Sequence, residues 1–140
     1  MVGAYMAQHS HIPDKALVST ARRARDTWDL VAPAFLKQPA VAYEPRIYEA
    51  SPNAILGALQ ETAAGIHALL VVGHNPGLQE LAKLLTASGD IEARQRLIEK
   101  YPTAALAVID FPIDAWSDLH PQGGRLDRFV TPRALESIPD

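Results

Sequence analysis

The sequence predicts a three-layer α/β/α sandwich around a mostly parallel sheet, and three observations predict it. Ala68-Leu69-Leu70-Val71-Val72 is an unbroken apolar run with no alternation, as expected of a parallel strand covered on both faces. Ser19 to Thr27 and Val71 to Gly77 each read as the end of a buried strand turning into the start of a helix. Short apolar runs and amphipathic stretches alternate along the rest of the chain.

Taken in order, residues 2–9 read as the tail of a helix, broken by Pro13-Asp14 before the buried strand Ala16-Leu17-Val18. From Thr20 to about Phe35, the residues Ala24, Trp28, Val31 and Phe35 recur at i, i+4, i+7 and i+11. That spacing places one apolar stripe on a helix, with Arg22, Arg25, Asp26 and Asp29 mostly off it. Val41-Ala42-Tyr43 is a second short strand. Ile55, Leu56 and Leu59 mark a helix opening at Ser51-Pro52, where Ser suits the N-cap and Pro the first turn. Leu78, Leu81, Leu84 and Leu85 form the inner face of the helix after Pro76, and residues 90–100 read as a more charged, peripheral helix. Ala104 to Phe111 is a further buried strand. Gly123-Gly124 separates the segment Trp116 to Leu119 from Arg125 to Val130, which predicts a late hairpin.

The 140 residues suit one domain, and a composition of 48% hydrophobic and 21% charged residues is that of a folded globular chain without repeats or low-complexity tracts. A formal charge of -3, with Arg22, Arg23 and Arg25 as the one local basic group, argues against nucleic acid or an anionic membrane as partner. No cysteine occurs, which excludes thiol nucleophiles, disulfides and cysteine-based metal sites. No apolar run is long enough to span a bilayer and the first residues lack a signal-peptide pattern, so a cytoplasmic location is expected.

Arg23 and His74 stand at the two strand-to-helix junctions, where open α/β sheets bind ligands. A guanidinium and an imidazole beside helix N-termini suit a phosphoryl group, whose spread negative charge needs fixed donors. Each has a plainer reading: Arg23 as a solvated helix arginine, His74 as a capping or satisfied core histidine. Ser19 is either an N-cap residue or part of the site lining. His9 and His11 form an H-x-H pair, but no further ligand follows at metal-binding spacing, so they read as a solvated loop; no metal and no cofactor are expected.

Ser19-Thr20-Ala21-Arg22-Arg23-Ala24-Arg25-Asp26-Thr27 resembles the S-x-x-x-R-A-x-Q-T signature of the histidine phosphatase superfamily, with Asp26 in place of Gln and Arg23 as the aligned arginine. Val72-Gly73-His74-Asn75-Pro76 is similar to its second histidine motif. Ile47-Tyr48-Glu49-Ala50-Ser51 and the tail Phe129 to Leu135 resemble the SixA-type phosphohistidine phosphatase branch. The resemblance covers nearly the whole chain and implies a phosphoglycerate mutase-like fold. It also implies a phosphorylated protein or small phosphoester as substrate, hydrolysed through a covalent phosphohistidine intermediate. Arg23 would clamp the phosphoryl oxygens and His74 would donate a hydrogen bond to them. Glu49 is a candidate general acid or base, or else a surface carboxylate.

The same family opens with a strand ending in Arg-His-Gly or Arg-His-Ala, whose histidine is the nucleophile, and no Arg-His pair occurs in this sequence. The resemblance therefore implies an N-terminally truncated chain that lacks its first strand, with Met1 inside the helix that follows. In the family that strand lies between the one ending at His74 and the one around Ala104 to Phe111, whose edges would be left unpaired. A noncatalytic phosphate-binding module and a structural interaction domain are the alternatives to a phosphatase.

Overall fold

The computed structural model describes residues 2–102 and 105–132. The helices are α1 (Val2–Gln8), α2 (Arg22–Val31), α3 (Pro52–Gln60), α4 (Gly77–Leu85) and α5 (Ile91–Glu99). The strands are β1 (Lys15–Ser19), β2 (Ala40–Glu44), β3 (Leu69–Val72), β4 (Thr86–Gly89), β5 (Leu106–Asp110) and β6 (Gly124–Val130). They form two three-stranded sheets, ordered β2-β1-β3 and β4-β6-β5. The first is wholly parallel, with Val18 opposite Tyr43 on one side and Val72 on the other. In the second, β4 runs parallel to β6 and β5 antiparallel to it.

Strand β1 shows why the arrangement has three layers. Ala16 and Val18 pack with Met6, Ala24, Trp28 and Phe35 from the α1/α2 side. Leu17, between them in sequence, packs with Ile55, Leu59, Leu81 and Leu85 from the α3/α4 side. Successive side chains of a strand point to opposite faces, so apolar residues at every position require a cover on each. The Ser51-Pro52 opening of α3 forms as predicted: the Ser51 hydroxyl accepts a hydrogen bond from the Ala54 N–H at 3.2 Å.

Three expectations need correction. The long helix through Phe35 stops at Val31 and continues as a 3-10 turn over Ala32–Ala34, because Pro33 lacks an N–H to extend the ladder. Phe35 nevertheless keeps its place on the stripe, its ring 6.3 Å from that of Trp28. The late hairpin does not form: Trp116–Asp118 is a 3-10 turn, and β6 pairs with β5 instead. Trp116 Nε1 donates to the Ile66 carbonyl at 2.6 Å and Leu119 is buried against α3 and α4, so this segment spends its side chains on the core. Strand β4 was not foreseen. Gly89 allows it, since at φ 125° a Cβ there would sit 2.3 Å from the Leu126 carbonyl oxygen. Residue 104 of the predicted strand and residues 133–135 of the similar tail lie outside the described residues.

Among the described residues β3 and β5 each have one unpaired edge, and both strands line a cavity of about 750 Å³ along their length. Side chains rather than a ladder join the two halves of the fold across and around it. Arg128 Nη1 donates to the Tyr5 hydroxyl at 2.8 Å, Gln60 Nε2 to the Leu119 carbonyl at 2.7 Å, and Gln79 Nε2 to the Leu97 carbonyl at 2.9 Å. No helix among the described residues is long and apolar enough to cross a membrane.

Leu126 is fully enclosed where β6 meets α5, whereas Leu36 is fully exposed. Leu126→Ala is expected to lower the unfolding free energy by about 2–5 kcal/mol, and Leu36→Ala by no more than about 0.5 kcal/mol, in urea titrations. Equal effects would contradict the burial described.

Candidate functional site

Because β1 and β3 run parallel and in register, the loops that follow them emerge at the same end of the sheet. The turn after β1 is set by Ser19, wholly buried, whose Oγ accepts from the Ala21 N–H at 3.2 Å. That bond shapes the entry to α2, although Ala21 and not Ser19 is the N-cap residue, and Ser19 lines neither cavity near the site. Its hydroxyl is committed to the backbone.

Just beyond this turn the three arginines part company. Arg22 lies 3.9 Å from Asp26, and both side chains are largely exposed. The Arg25 guanidinium sits over the Tyr43 ring, 5.4 Å from its centroid. Arg23 makes no side-chain hydrogen bond or ion pair among the described residues, and it borders the 750 Å³ cavity. His74, just beyond β3, borders the same cavity. Its Nδ1 is shielded from solvent and has no hydrogen-bond partner among the described residues, an uncommon state for a buried polar atom.

The loop that presents His74 is held from three sides. Asn75 donates through Nδ2 to the Tyr101 carbonyl and accepts from the Gln79 N–H at 3.3 Å. Gly77 lets the start of α4 approach the segment just before α3, since a Cβ there would lie 3.1 Å from the Ala50 carbonyl oxygen. Tyr101 itself is half-buried, and loss of solvent around its phenol pushes it up to about 12.

A second cavity, of about 270 Å³, lies against His74 and is bordered by Glu49 and Glu80. Glu49 is exposed and adopts a left-handed backbone conformation, φ 48°, directly after Tyr48. The site end of the sheet thus gathers Arg23, His74 and Glu49, and leaves Ser19 buried beneath them.

His11 departs from its reading as a solvated loop residue. It borders the large cavity, with its Nε2 buried and unpartnered among the described residues. Burial lowers its pKa first, and the nearby Arg128 charge lowers it further; Asp127 and Asp110 oppose and His9 adds to the lowering. Tyr5 lies beside it, ring centroids 6.5 Å apart, and itself stacks on His9 at 4.1 Å. Sequence spacing carried no sign of the charge beside it, because Arg128 comes near only where β6 passes α1 and bonds Tyr5. His11 precedes β1 as His67 precedes β3, so both mark the end of the cavity opposite His74. Asp14 stands there too, its carboxylate held below the usual range by hydrogen bonds from the Ala68 and His67 N–H groups at 2.9 Å. No group of three or more potential metal ligands occurs among the described residues.

No protein-family model matches the sequence. An uncharacterised protein of Mycobacterium tuberculosis is 33% identical over 135 residues, 95% of this chain and 82% of the relative. An uncharacterised protein of Mycobacterium leprae is 30% identical over 134 residues, 95% of this chain and 80% of the relative. Among solved structures, one assigned as phosphohistidine phosphatase SixA from Nakamurella multipartitia superposes with a TM-score of 0.76 at 24% identity, over 94% of this chain and 80% of its own. A second so assigned, from Agrobacterium tumefaciens, gives 0.68 at 25% identity over 94% and 76%. The protein histidine phosphatase SixA in complex with tungstate gives 0.72 at 19% identity over 96% and 78%. Over almost its whole length the chain is similar in structure to SixA-type members of the histidine phosphatase superfamily. Its fold is the phosphoglycerate mutase-like one of SixA. The histidine phosphatase resemblance of the two motifs and the clustering of Arg23 with His74 are thus separate observations on the same residues.

The folded pKa of His11 lies below its ordinary value of 6.5, so on acidification the unfolded chain binds a proton first. Stability is unpenalised above about pH 6.5 and falls below it, toward the folded pKa. Urea unfolding at about pH 7 and about pH 5.5 should show a larger loss for the wild type than for His11→Gln. The same loss in both would refute the assignment.

Proposed function

We propose that this protein is a phosphatase whose site holds a phosphoryl group between Arg23 and His74, with phosphohistidine on a protein or another phosphomonoester as substrate. One observation carries the reading: of three neighbouring arginines, the one aligned with the family signature is the one without a local partner, and it shares a cavity with a histidine whose buried nitrogen is unpartnered. A guanidinium offers paired donors to two phosphoryl oxygens, and the His74 ring offers one more as charge develops in the transition state. The tungstate held by the SixA structure is a tetrahedral oxyanion of the kind such donors suit. Glu49, on the far side of His74, is in this reading a group that can take or give a proton on the leaving side.

Transfer through a phosphohistidine intermediate needs a nucleophilic imidazole, and in this reading it is carried on a further strand seated between β3 and β5. Such a strand would pair with both free edges, filling two strand spacings, roughly 10 Å, and would end beside His74 and Arg23. The length of the cavity along both edges supports that placement.

Tungstate affinity measured by calorimetry tests the clamp. Arg23→Ala and His74→Ala should each weaken it about tenfold or more, while Arg22→Ala and Arg25→Ala change it by less than about threefold. Sensitivity at Arg22 in place of Arg23 would shift the motif by one residue and overturn the assignment.

Turnover tests the nucleophile. The 140-residue chain is expected to show no sustained hydrolysis of p-nitrophenyl phosphate. A peptide with an unbroken apolar run ending in Arg-His-Gly should bind, sharpen the thermal transition and bring turnover that His74→Ala lowers by about two orders of magnitude. Sustained turnover without the peptide would place the nucleophile within the chain. Tungstate binding with no turnover under either condition would favour a noncatalytic phosphate-binding module.

A further inference from the structure

The His74 ring makes no hydrogen bond among the described residues, so its orientation comes from the backbone that carries it. That backbone is built into the opening turn of α4, where the His74 carbonyl accepts from the Leu78 N–H at 3.4 Å. The turn lacks an ordinary cap: its N-cap residue is Pro76, whose side chain has no acceptor for the N–H groups at a helix start. Asn75 supplies one from a position earlier, its Oδ1 accepting from the Gln79 N–H at 3.3 Å. The Nδ2 of the same amide donates the other way, to the Tyr101 carbonyl.

Tyr101 is in turn seated on the second sheet. Its ring lies 5.4 Å from that of Phe129 in β6, and the Ala107 backbone in β5 faces its hydroxyl. One amide therefore ties the opening of α4 to a segment anchored on β5 and β6. The position needs a short side chain that both donates and accepts: a carboxylate offers no donor there, and an alkyl group offers neither. Asn75 is exposed, so its two bonds act on the loop and not on the core. A donor to phosphoryl oxygens has to be held closely, because a hydrogen bond weakens steeply once it is misaligned.

We infer that Asn75 is a positioning residue for His74, which holds the imidazole at the phosphoryl site by bracing its loop against the Tyr101 segment. This rests on the reading of His74 as a donor to phosphoryl oxygens. Both ends of the Asn75 amide are engaged, so it acts through its neighbour.

The test compares Asn75→Ala with Gln79→Ala in the whole chain. Gln79 Nε2 donates to the Leu97 and Ile98 carbonyls at 2.9 and 3.2 Å, so its truncation also removes two side-chain bonds, but between α4 and α5 and not from the His74 loop. Asn75→Ala should weaken tungstate binding about fivefold in calorimetry and broaden or double the His74 ring signals in NMR spectra. Asn75→Ser, too short to span both partners, should do the same and serves if the alanine variant does not fold. Gln79→Ala should keep tungstate affinity within about twofold and a single set of His74 signals, whatever it does to Tm. Tyr101→Leu removes the ring and hydroxyl that seat the anchor. It should reproduce the Asn75→Ala loss, and the double variant should lose little beyond either single one. If Asn75→Ala matches wild type in both readouts, if Gln79→Ala matches Asn75→Ala, or if the Asn75 and Tyr101 losses simply add, the inference is overturned and the amide only staples the fold. If His74→Ala leaves tungstate affinity unchanged, the phosphatase reading falls, and the His74 ring signals alone decide whether Asn75 positions the imidazole.

Discussion

Strand β1 is hydrogen-bonded along both edges and covered on both faces, and the rest of the molecule is arranged by that double burial. Each of its residues from Ala16 to Ser19 is buried, so helices must lie above and below the sheet. Its neighbours both run parallel to it, which requires the crossovers that α2 and α3 occupy. Parallel strands bring their carboxyl ends to one edge, and Arg23, Glu49 and His74 all follow from there. Ser19, at the last position of β1, is too deep to reach a ligand and instead turns the chain so that Arg23 can.

The second sheet is attached to this frame by side chains. Where β3 and β5 present free edges, the usual ladder of N–H and C=O pairs is replaced by a few bonds from Gln60, Gln79, Asn75, Trp116 and Arg128 to groups across the fold. Asn75 belongs to both systems: it neighbours His74 and anchors that loop to the segment before β5. The geometry of the site is therefore coupled to the separation of the sheets.

Charge around the site is sorted by small local contacts. Asp26 draws Arg22 away and Tyr43 holds Arg25, which leaves Arg23 as the cation facing the cavity. Asp26 stands where the family signature has Gln, and its carboxylate is within 3.9 Å of Arg22. At the opposite end, His11 is partly buried and lies near the Arg128 guanidinium, so burial first and that charge second make its protonation unfavourable there.

The sequence by itself determined the covered strands, the capped opening of α3 at Ser51 and the two strand-to-helix junctions, because apolar period, cap chemistry and turn residues act over a few neighbouring positions. It also placed Arg23 and His74 at corresponding strand ends, since a parallel sheet makes that position follow from the element order alone. Only the tertiary structure decided which strands pair. Residues 86–89 have no apolar run, and β4 exists because β6 offers an edge and Gly89 can approach Leu126. Gly123-Gly124 suggested a hairpin between Trp116 to Leu119 and Arg125 to Val130, yet packing of Trp116 and Leu119 against the α3/α4 side outweighs that pairing. The Arg128 charge near His11 and the cavity that Glu49 and Glu80 share come from distant parts of the chain, and no local period carries information about contacts made only when the layers close.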